Sequence, residues 1–112
     1  MNKIKNSIIN SMFGILTLTI VILLYKTIFI ATIALIILAI INLSIWKSKI
    51  MLKLFIFGSL FGTLAEIIAI YFGVWDYALS NLINIPLWLI PLWGCAAMFI
   101  YRIGIDFRGQ NQ

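Results

Sequence analysis

Four runs of this sequence, 7–25, 27–46, 54–72 and 86–101, hold a single charged residue among them, Glu66; every other Lys, Arg, Asp and Glu falls between or beyond the runs. The runs are 16 to 20 residues long, and a helix needs about 20 apolar residues to cross a hydrocarbon core of roughly 30 Å. With 64% hydrophobic and 10% charged residues, against roughly 25% charged in a soluble domain, the chain has too little polar surface to face water. A mean hydropathy of +1.17 agrees. The expected architecture is a single all-α domain over residues 1–112, a four-helix transmembrane bundle with short loops. Lys3 and Lys5 precede an apolar stretch from Ile8 to Tyr25 that is too long for a leader's apolar core, and no small-residue cleavage site follows it. That stretch is therefore expected to be a retained first span.

Orientation follows from the basic residues. In a four-span chain Lys3, Lys5, Lys47, Lys49, Lys53, Arg102 and Arg108 fall on one side and Lys26 alone on the other. By the positive-inside bias both termini are expected in the cytoplasm, with the chain in the cell inner membrane. Tyr25, Trp46, Trp75 and Tyr101 fall near span ends, where amphipathic rings favour the interface. The net charge of +5 is split into short clusters with no interleaved aromatic stripe, so no nucleic-acid partner is expected.

Glu66 is the costly residue. An acid inside a membrane span marks function or a specific hydrogen bond. At 100° per residue it shares an arc of about 100° with Gly58, Gly62, Ala65, Ala69 and Gly73. Gly58 and Gly62 form a small-xxx-small pair that lets another helix come close. Gly58, Gly62, Ala69 and Gly73 are thus candidate packing positions, Gly73 doubling as the C-cap of the third helix. Counting back from Phe72 places Glu66 roughly 9 Å below the outer end of its span, level with Thr17, Thr32, Trp88 and the stretch from Pro91 to Gly94. With no Lys or Arg at this depth, the carboxyl is expected to rely on neutral donors, Trp88 and Trp93 first.

The fourth run opens with a doubled Pro-Leu-Trp, at Pro86 and Pro91. Pro86 suits a first helical turn; Pro91 is expected to kink the helix and free the Leu87 carbonyl. Asp76 reads as a turn or capping residue, and Asn10, Gly14 and Thr17 as packing and hydrogen-bonding positions on one face of the first helix. Histidine is absent and Cys95 is the one cysteine, so no metal site, cofactor, disulfide or activated nucleophile is expected.

The run from Glu66 through Gly73-Val74-Trp75-Asp76-Tyr77 to Ile85-Pro86-Leu87 resembles a hairpin of the membrane-bound lycopene cyclase domain and related carotenoid-modifying proteins. In that group an intramembrane acid precedes a Gly-x-Trp-x-Tyr turn and a proline opens the next helix. The resemblance covers about a quarter of the chain and implies an isoprenoid ligand near Glu66, Trp75, Tyr77, Trp88 and Trp93. The glutamate pair that follows the proline in that group is replaced by Leu87, Trp88 and Leu89, leaving Glu66 as the one acid for catalysis. The Pro-Leu-Trp ending is similar to that of small, uncharacterised bacterial integral membrane proteins. Length, span number and one embedded glutamate also resemble the small multidrug resistance transporters, whose glutamate lies on the first helix.

Three readings follow. The leading one is a structural or apolar-lipid-binding bundle, its partners being membrane lipid, an isoprenoid-like ligand, and a second copy or a larger membrane complex. The others are an isoprenoid-modifying enzyme with Glu66 as general acid and a proton-coupled exporter using Glu66. The topology has its own test. A reporter active only in the cytoplasm is expected to be active when fused after Gln112, and silence there contradicts the four-span arrangement.

Overall fold

The computed structural model describes residues 3–75 and 85–110, with backbone alone for 109 and 110. Its four helices are α1 (Lys3–Leu24), α2 (Ile28–Trp46), α3 (Lys49–Tyr71) and α4 (Leu89–Gln110). All four are long and apolar enough to cross a membrane. At 1.5 Å per residue, 19 to 23 residues span about 29–35 Å. Asp76 and Tyr77, expected in the loop after α3, lie outside the described residues.

Helix ends depart from hydropathy where local chemistry decides them. α3 begins five residues before the apolar run because Ser48 caps it, its hydroxyl accepting the Met51 N–H at 3.2 Å. Lys47 turns left-handed (φ 52°) and donates its N–H to the Leu43 carbonyl, so two residues reverse the chain. Lys49 and Lys53 accordingly lie on the helix. α4 begins at Leu89, three residues after Pro86, and continues through Arg102, Asp106 and Arg108. Pro91 is thereby the third helical residue, where a missing N–H costs no helical bond. The expected kink and freed carbonyl do not arise, since Leu87 accepts the Ile90 N–H at 3.3 Å.

Contacts across the bundle fix an up-down-up-down order. Ser7 meets Asp106 and Arg102 lies over Trp46 at one end; Trp88 meets Tyr25 at the other. The first end carries all the basic residues but Lys26. One core cluster, toward the Lys26 end, joins Ala31 and Leu35 of α2 to Ile85, Trp88 and Leu89. The second joins Ala39 and Met51 to Cys95 and Met98. α4 contributes to both and touches α1, α2 and α3, whereas α3 packs chiefly on α4. Ile15, Leu18, Ile22, Phe29, Ile33, Leu60 and Phe61 point outward, as side chains solvated by lipid tails do.

The α3–α4 contact is close and reciprocal. A Cβ on Gly58 would meet the Ala97 Cβ at 2.7 Å and the Trp93 carbonyl at 3.0 Å, and one on Gly62 would enter the Trp93 ring. Gly94 of α4 in turn receives Phe55 and Ser59. The buried face is therefore rotated from the expected one. Met51, Ser59, Gly62, Thr63 and Glu66 are buried, Phe55 is half-buried, and Ala65 is exposed. Counting small residues on α3 alone misses that its Phe55 fits a glycine on the partner. Gly73, expected to pack, has open space where a Cβ would stand. Its role is to end α3.

Glycine replacements test this contact. Gly58→Ala is expected to lower the unfolding midpoint in detergent, by the equivalent of about 1–3 kcal/mol for overpacking. Gly104→Ala, in a helical position with nothing within 4 Å, is expected to be neutral or stabilising. Equal effects contradict the assigned interface.

Candidate functional site

Glu66 reaches its place through two features of the sequence around it. Its position one turn beyond Gly62 puts it on the α4-facing side of α3, with 8% of its surface exposed. The chain after α3 then folds back over it. Phe72 caps the helix and Gly73 turns left-handed (φ 76°). The Gly73 N–H bonds the Ile70 carbonyl and the Val74 N–H the Ala69 carbonyl, both at 3.0 Å. This Schellman arrangement needs a residue free of the Cβ penalty at position 73. It aims Trp75 back along the helix, and the indole Nε1–H donates to Glu66 Oε2 at 2.7 Å. The ring remains about half exposed while its N–H reaches a buried carboxyl. Trp75 is a lid anchored by one short hydrogen bond.

Neither tryptophan expected as a donor for Glu66 bonds it. Trp88 Nε1 donates to the Tyr25 carbonyl at 3.2 Å, tying the start of α4 to the end of α1. Trp93 lies across Gly62 with its Nε1 buried and unpaired. Thr17 and Thr32 bond the carbonyls of Phe13 and Ile28 in their own helices. The structure thus gathers Glu66 and Trp75, places Trp93 one helical turn away, and puts Trp88 on a different contact. Ala69 is half-buried beside the turn. Among the described residues no cation pairs with Glu66, and no three metal-ligating side chains converge.

Sequence reasoning missed Ser59 and Thr63. Four span hydroxyls, Thr17, Thr19, Thr32 and Ser44, each bond the carbonyl four residues back. Ser59 and Thr63 are buried yet have no partner. The Ser59 hydroxyl lies against Gly94 of α4. Ser59, Thr63 and Glu66 form a polar stripe at i, i+4 and i+7, a spacing the sequence does display.

A second site lies across α4. Between α1 and α4 runs a groove of about 310 Å³ lined by Ser11, Gly14, Ile15, Thr17, Leu18, Leu92, Cys95, Ala96 and Phe99. It opens toward lipid and is almost wholly apolar. Through Ser11 it meets a recess of about 180 Å³ toward the basic end, where Ser7, Asn10 and Asp106 supply polar groups. Ser7 donates to Asp106 at 3.0 Å, and Asn10 Nδ2 donates to the Phe99 carbonyl at 3.3 Å. That second bond fixes the amide, so Asn10 Oδ1 is a buried acceptor without a donor among the described residues.

The Glu66–Trp75 bond is testable by a double-mutant cycle. Trp75→Phe is expected to cost about 1 kcal/mol of unfolding free energy in detergent, and Glu66→Gln, which keeps an acceptor, less. Glu66→Leu is expected to be milder in the Trp75→Phe background than alone, and strict additivity contradicts a direct bond. Compared with family models, curated proteins and solved structures, the chain matches none of them, and the reading of both sites rests on their own geometry.

Proposed function

We propose that this protein is a membrane-embedded binding protein for an apolar, isoprenoid-like lipid that carries a hydroxyl, held in the α1–α4 groove. The observation that carries the reading is Asn10 Oδ1, a buried acceptor without a donor at the polar foot of an otherwise apolar groove. An unpaired buried acceptor costs roughly 1–3 kcal/mol, which a ligand hydroxyl would recover. The apolar wall from Leu92 to Phe99 suits a chain lying along α4, with its hydroxyl at the basic end. In this proposal that end faces the cytoplasm and the protein sits in the cell inner membrane, because seven of the eight basic residues gather there.

Glu66 then has a packing role. Its carboxyl is closed by Trp75 and has one short bond to a neutral donor, a geometry that holds the end of α3 in place.

Lipid co-purified with the protein and identified by mass spectrometry tests the reading. One hydroxylated apolar lipid is expected to be enriched over the bulk membrane. Ala96→Phe, which fills the groove, and Asn10→Leu, which removes the acceptor, are each expected to reduce that enrichment at least severalfold. Bulk phospholipid alone in the unaltered protein contradicts the proposal.

A further inference from the structure

At the basic end, on the side of α4 facing α2, two buried donors lie together without acceptors. The guanidinium carbon of Arg102 sits 3.7 Å from the centre of the Trp46 ring. Arg102 Nε and Trp46 Nε1 are both buried and without an acceptor among the described residues. The stack holds the guanidinium flat, which limits the freedom of its donors. Asp106, one turn further along α4, accepts Ser7 and makes no ion pair with Arg102 among the described residues. Asn42, one turn before Trp46 on the same face of α2, is 4% exposed and unpaired. No hydrogen bond among the described residues fixes its amide, so it can turn its NH2 outward.

We propose that Trp46 and Arg102 form a phosphate-binding site that takes the headgroup of an anionic phospholipid, with Asn42 as a further donor. A phosphate oxygen accepts from both N–H groups at once, and charge-assisted bonds of this kind are the strong ones. The level of the site at the end of its spans favours a lipid headgroup, and the gathered basic residues raise the local concentration of anionic lipid. The site is separate from the α1–α4 groove and does not depend on it.

The test uses the full chain in a phosphate-free maltoside detergent, titrated with phosphatidylglycerol, with diacylglycerol of the same chains, and with inorganic phosphate, and read by melting temperature and native mass spectrometry. Phosphatidylglycerol is expected to stabilise and to bind at defined stoichiometry. Diacylglycerol and inorganic phosphate at equal concentration are expected to do neither. Arg102→Gln is expected to weaken phosphatidylglycerol binding about tenfold. Trp46→Phe, which keeps the ring and removes the N–H, is expected to weaken it less. Lys26→Gln, at the opposite end, is expected to leave it unchanged. Equal stabilisation by diacylglycerol overturns the phosphate site, equal stabilisation by inorganic phosphate overturns the lipid source, and undiminished binding by both Trp46→Phe and Arg102→Gln overturns the assignment to these residues.

Discussion

The arrangement depends on how closely α3 and α4 approach. Lipid tails give two apolar helices no hydrophobic reason to associate, so contact must come from packing and from polar groups that meet across it. Here the packing is reciprocal. Gly58 and Gly62 of α3 receive Trp93 and Ala97, and Gly94 of α4 receives Phe55 and Ser59. Each helix supplies both a gap and the bulk that fills its partner's gap. α4 then meets α1 and α2 on neighbouring faces, Cys95 lining the α1–α4 groove while its thiol points to the Leu35 carbonyl of α2.

The second constraint is that polar groups inside a membrane find partners within the protein. Most of the chain complies by the shortest route, with span hydroxyls bonded to their own helices. Glu66 complies by a longer one, through a glycine turn that brings Trp75 back across nine residues of sequence. The exceptions are grouped: Ser59, Thr63 and Trp93 in the α3–α4 seam, Asn10 at the groove foot, and Asn6, Asn42, Trp46 and Arg102 at the basic end. The seam is filled by its own packing against Gly62 and Gly94. Asn10 lines the recess beside the groove, the others gather at the basic end, and the two proposals assign ligands to these groups.

What the sequence made legible was what depends on composition along one helix at a time. Four spans, their alternation and the gathering of basic residues follow from the placement of charge, and Gly73 as the end of α3 follows from its freedom at positive φ. What depends on the partner was hidden. Pro91 reads as a kink until Leu89 is known to begin α4, because the penalty of a proline depends on its distance from a helix end. Trp88 and Trp93 looked apt for Glu66 by depth, yet depth says nothing of which side of α4 a residue occupies. Trp75 reads as a ligand residue in the sequence, but its bond to Glu66 needs the reversal at Gly73, which hydropathy does not encode. The groove foot was half visible, since Asn10, Gly14 and Thr17 were already aligned on one face of α1.

In the proposed function the α1–α4 groove, unlike the rest of the lipid-facing surface, selects its lipid. A photo-crosslinking amino acid placed at Ala96 in the groove, and in a second protein at Leu60 on the outward face of α3, measures this in the native membrane when the adducts are identified by mass spectrometry. One dominant hydroxylated apolar lipid is expected at position 96 and a spread of bulk phospholipids at position 60. The same spread at both positions would contradict that selection.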